Sequence, residues 1–104
     1  MYRQGDVLII PVPEIPKNVE KVPRDAGRVV LAYGEVTGHA HAIVAEKATM
    51  FRDPKLNALF MNVTGKDPVA LQHEEHSTIN IAPGKYQVIR QREYTPQAVK
   101  YVAD

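Results

Sequence analysis

Four histidines in two close pairs are the residues of this chain best suited to chemistry: His39 and His41 in Gly-His-Ala-His, and His73 and His76 in His-Glu-Glu-His. On a strand, residues i and i+2 point to the same side, about 6.5–7 Å apart. His39 and His41 therefore aim two imidazoles at one face, with Ala40 and Ala42 on the other. His73 and His76 diverge on a straight strand and converge on a turn or on one turn of helix. Imidazole ligates zinc, iron, manganese and nickel, and a histidine pair without a metal can exchange protons near neutral pH. The expected metal ligands are His39, His41, His73 and His76, with Glu46 as a carboxylate donor. Glu74 and Glu75 are the expected acid–base residues. His-Glu-Glu-His lacks the spacing of the helical zinc motif His-Glu-x-x-His, so that mechanism does not apply.

A second cluster follows. Lys85, Tyr86, Arg90, Arg92 and Tyr94 combine cations with aromatic rings in one strand-like stretch, and such a face can hold phosphates and stack bases. Set against this are ordinary roles for the same residues: tyrosines packing their rings, arginines lying along the surface, and acidic residues facing water. Gly34–Gly38 is not a phosphate loop, because no Gly-Lys-Ser/Thr follows it.

The elements that must position these residues are short. Eight prolines and six glycines punctuate the chain. Strands are expected at Asp6–Pro11, at Arg28–Tyr33, and in a hairpin partner within Gly34–Glu46 with a bulge or bend at Gly38. Further strands are expected at Lys47–Arg52, Ala58–Thr64, Val69–Gln72, Ser77–Ala82 and Lys85–Tyr94, while Pro13–Arg28 reads as an irregular loop. Asp53-Pro54 starts a turn, and Pro83-Gly84 suits a type II turn. Thr95–Asp104 reads as a short C-terminal helix, with Thr95 as its cap, or as a last strand. The sum is an all-β domain over residues 1–104, a small barrel or sandwich.

Composition bounds the function. The chain has 104 residues, a formal charge of +1 and no cysteine. Thiolate metal sites, disulfides and cysteine nucleophiles are excluded, as is binding of nucleic acid by bulk positive charge. No apolar run reaches the roughly 20 residues of a membrane helix. The first residues lack the form of a signal peptide, so the expected compartment is the cytoplasm. Open strand edges make a homodimer an expected assembly.

Two resemblances add to this reading. His-Ala-His-Ala-Ile-Val-Ala-Glu, with His39, His41 and Glu46, resembles the first half of the cupin metal motif, which implies a metal completed by a later histidine, His73 or His76. In cupins the Pro-x-Gly precedes that histidine, whereas here Pro83-Gly84 follows it. The blocks YRQGDVLIIPV, GRVVLAYGEVTGHAHAI, HEEH and APGKYQVIRQREY together resemble a group of small, uncharacterised bacterial and phage proteins.

The first expectation is a divalent-metal protein, hydrolytic or oxidative. The second is an RNA- or nucleotide-binding protein, such as a metal-independent ribonuclease, whose anionic ligand is held by Lys85, Arg90, Arg92 and the tyrosines. The third is a non-catalytic interaction module.

Overall fold

The computed structural model describes residues 1–91, which form ten strands and no helix. The main sheet has six strands in the order β1 (Tyr2–Gln4), β2 (Val7–Pro11), β10 (Gly84–Arg90), β7 (Ala58–Val63), β6 (Ala48–Asp53) and β3 (Glu20–Lys21), each pair antiparallel. Two hairpins lie outside it: β4 (Val29–Tyr33) with β5 (Ala40–Ile43), and β8 (Val69–Leu71) with β9 (Ile79–Ile81). The hairpins are joined by one bridge, in which Ala42 and Gln72 exchange two backbone hydrogen bonds of 2.9 Å. The main sheet ends at β1 and β3 without closing. The expected all-β class is therefore met, and of barrel and sandwich the closed form is excluded.

Both parts feed one core. Val7, Ile9, Met61 and Val88 from the main sheet pack with Leu31, Ile43, Leu71 and Ile81 from the hairpins. Val7, Ile9, Ile43, Met61, Leu71 and Ile81 are fully buried. Burying a side chain of this kind is worth about 1.5–3 kcal/mol, so six such residues drive the two parts together.

Several local expectations are corrected. Tyr2–Gln4 forms a strand because Gly5 and Asp6 close a two-residue turn onto Val7. Gly5 has a φ of +58°, the first central position that glycine fills in hairpin turns. Gly38, with φ +88°, bends the chain in the β4–β5 loop as expected, while the bulge-like register irregularity lies instead between Val30 and Ala32. Gly84 does not serve a type II turn: it is already the first residue of β10, opposite Val63. The chain changes sheets at this point, and Ala82 is clamped there. Its N–H donates to the Tyr2 hydroxyl at 3.1 Å, and its carbonyl accepts from the Tyr86 hydroxyl at 2.6 Å.

The Pro13–Arg28 loop contains β3 and is tied down by Arg24. Its guanidinium donates to the carbonyls of Gly27, Val44, Ala45 and Ala48 at 2.6–3.1 Å. Asp53 starts its turn as expected, its carboxylate accepting from the N–H groups of Lys55 and Leu56. No helix of the described residues is long and apolar enough to cross a membrane. The expected terminal helix, with Arg92 and Tyr94 before it, lies outside the described residues.

Candidate metal centre

The four histidines meet. His39 ends the β4–β5 loop, where its carbonyl accepts from Gly34 N–H and its own N–H donates to Val36. His41 is the second residue of β5, and His73 and His76 stand in the β8–β9 loop, which bends without forming a helical turn. The Ala42–Gln72 bridge brings the two segments together. The His73 ring centroid lies 4.3 Å from that of His41, 4.6 Å from His76 and 5.7 Å from His39, and the His76 ring stacks on His41 at 5.8 Å.

His41 is 2% exposed. Its Nδ1 lies 2.8 Å from Gln4 Oε1, while Gln4 Nε2 donates to the carbonyls of Leu71 (2.8 Å) and Ser77 (3.0 Å). Those two acceptors assign the amide: the nitrogen must face them, so the oxygen faces His41. His41 Nδ1 is then the donor, and Nε2 carries the lone pair. Nε2 lies 3.8 Å from Asp6 Oδ1. Burial, with the neighbouring His73, lowers the His41 pKa to about 4. The imidazole is therefore neutral at physiological pH, as a metal ligand must be.

Asp6 stands at the tip of the β1–β2 turn. Arg90 Nε and Nη2 donate to its Oδ2 at 3.3 and 3.1 Å. Burial pushes the Asp6 pKa up, but the hydrogen bond and charge of Arg90 outweigh it, and the net shift is downward. Glu74 Oε1 accepts from Ala40 N–H at 2.9 Å, and this bond lowers the Glu74 pKa. Glu75 N–H donates to His73 Nδ1 at 3.0 Å. An incoming ion competes with that amide for Nδ1; binding at Nε2 instead requires the ring proton to move to Nδ1, which gives up the Glu75 bond.

One set of three ligand atoms among the described residues is compact enough for a single ion: His39, His73 and Glu74, all within 4.8 Å of one another. His39 Nδ1 is buried without a hydrogen-bond partner, and its nearest ion-pair contact is Glu75 Oε2 at 3.7 Å. A buried polar nitrogen without a partner is unfavourable unless something fills the role. A cavity of about 350 Å³ opens here, lined by Asp6, His39, His41, His73, Glu75 and Arg90 among others.

The remaining expected residues are placed as follows. Glu46 is exposed in the β5–β6 turn and does not line this cavity. Tyr86 is 5% exposed and packs edge-on against Tyr2 with centroids 5.9 Å apart, so its ring is core rather than a base-stacking platform. Lys85 pairs with Glu14 at 3.0 Å. Among the described residues of that basic group, Arg90 alone lines the histidine cavity. Gln4 and Asp6 were not expected. The Gln-Gly-Asp sequence before an apolar strand marked a turn, but nothing local pointed that turn at the histidines.

Fold and site define a small all-β protein with a histidine cluster between its main sheet and its two hairpins. The chain belongs to the family described as domain of unknown function DUF8820, which matches residues 3–91. No curated protein and no solved structure matches it. The matched stretch includes every histidine, Gln4, Asp6 and Arg90. The cupin resemblance rests on residues 39–46 alone.

Proposed function

We propose that this protein binds a divalent metal ion through His39, His73 and Glu74 and uses it for hydrolysis. The observation that carries this reading is the His39–His73–Glu74 set, whose ligand atoms lie within 4.8 Å of one another; Nδ1 of the same His39 is buried without a hydrogen-bond partner. Two imidazoles and a carboxylate form a donor set used by catalytic zinc and by non-haem iron, with positions left for water or substrate. Without cysteine, the donors are nitrogen and oxygen only, which suits zinc, iron, manganese or nickel. The ion would polarise a bound water into a nucleophile. Arg90 lines the cavity that His39 and His73 share, which Glu74 does not line, and favours an anionic substrate there.

Elemental analysis of untagged protein, equilibrated with each of the four metals and desalted, tests this. At least one equivalent per chain is expected, with an affinity loss of about a hundredfold or more in His39→Ala and His73→Ala. Folded protein that retains none of the four metals would overturn the proposal. Salt-dependent RNA binding abolished by Arg90→Ala, in metal-free protein, would favour the ribonuclease reading instead.

A further inference from the structure

The His39–His73–Glu74 set leaves His41, His76 and Asp6 without a part. From the way His41 and Asp6 face each other, we infer a second divalent-cation position, at His41 Nε2 and Asp6 Oδ1, with His76 beside it. This inference rests on the metal reading above and extends it to a two-ion centre.

The argument starts at Gln4. Its amide nitrogen is engaged by two carbonyls, so its oxygen takes the Nδ1 proton of His41. In the neutral ring the lone pair of His41 is thereby on Nε2, and it faces a carboxylate oxygen that also has only lone pairs. Two acceptors held 3.8 Å apart repel unless something positive or hydrogen-donating lies between them. The separation is too long for a hydrogen bond. It is close to the spacing of about 3.4 Å that two donors adopt around a tetrahedral ion with bonds of about 2.0–2.1 Å.

The surroundings support a cation. Arg90 holds the other oxygen of Asp6, Oδ2, and so orients Oδ1 toward His41 without occupying it. Ligating carboxylates and histidines are commonly held by such outer partners, and here Arg90 and Gln4 fill both roles. The His76 ring stacks on His41 at 5.8 Å and lies beside this pair of donors, without bringing a third ligand atom as close as in the His39–His73–Glu74 set. Its Nε2 lies where a side chain on residue 5 would sit: a Cβ there would come within 2.6 Å of it. Gly5 thus serves the turn and also leaves room for His76. The His73 ring stands next to both positions, 5.7 Å from His39 and 4.3 Å from His41.

Titration of metal-free, untagged protein with Zn²⁺, and with Co²⁺ as a visible reporter, tests the second position. Two equivalents per chain are expected. In Asp6→Asn, and separately in His76→Gln, the weaker equivalent should lose about a hundredfold in affinity while the other is unchanged. Both substitutions fall on solvent-accessible loop positions, and a circular dichroism melt checks that the fold is kept. A parent that binds one equivalent overturns the second position and leaves the first standing. Two equivalents that persist in both variants, or the loss of both from either folded variant, also overturn it, the last because the ions would then share one set of ligands. A parent that binds no metal instead overturns the function proposed above.

Discussion

Ile9, Met61 and Val88 in the main sheet meet neighbours that ask only for apolar volume. At the hairpin end, Gln4 and His41 are equally buried but meet neighbours that ask for particular atoms. Gln4 must place one nitrogen against two carbonyls and one oxygen against an imidazole. The apolar core against the main sheet is held by a force without direction, so many apolar sequences would fill it. The histidine end is held by directional bonds whose loss leaves buried polar atoms unpaired. The first region makes the fold stable, and the second gives up apolar packing to hold its imidazoles in fixed orientations.

Three substitutions break or sharpen that contrast. Met61→Ala, at a fully buried site on β7, should destabilise the protein by about 2–5 kcal/mol in urea unfolding, through lost burial and the cavity left behind. The molecules that remain folded should bind metal with unchanged stoichiometry. Next is a matched pair of apolar swaps. Met61→Leu should cost under about 1.5 kcal/mol. Gln4→Leu, of similar bulk, should cost about 1–3 kcal/mol for each polar group it leaves unpaired. If both swaps were equally mild, the contrast between the regions would fail.

The smallest effect concerns the Ala82 clamp. Burial, reinforced by Tyr2, raises the Tyr86 pKa from 10.0 to about 12. The unfolded chain therefore ionises at this tyrosine before the folded one. Stability should be level below pH 10 and fall as pH rises from there toward 12, with that contribution absent in Tyr86→Phe. At neutral pH the loss of the hydroxyl should cost about 1 kcal/mol, with no change in metal binding.

Much of the sheet structure was legible from local pattern. Asp6–Pro11, Arg28–Tyr33 and Ala58–Thr64 read as strands because their β-branched and apolar runs end at glycine, proline or a polar turn, and they are strands. β1 was not legible: Tyr-Arg-Gln has no apolar period, and the strand exists because its turn folds it onto β2. Arg24 stands in a stretch that reads as an irregular loop, yet its guanidinium is spent on four carbonyls that only the fold brings within reach. In the site, the two histidine pairs were legible and Glu74 stood beside one of them. Glu46 lies away from the histidine cavity because β5 ends at Ile43 and Glu46 falls in the exposed turn that follows.

By itself, the sequence determined that the chain is β-rich, that any metal would sit among nitrogen and oxygen donors, and that each histidine pair could act as a unit. These follow from residue chemistry and from the two-residue period of a strand, both of which are local. Tertiary structure decided that the pairs meet, because the Ala42–Gln72 bridge joins residues 30 apart in the chain. It also brought in Gln4 and Asp6 from the first hairpin and Arg90 from the last strand. Asp6 and Arg90 are 84 residues apart and meet because β2 and β10 are neighbours in the main sheet. Which strands become neighbours depends on burying one shared core, and no short stretch of sequence contains that information.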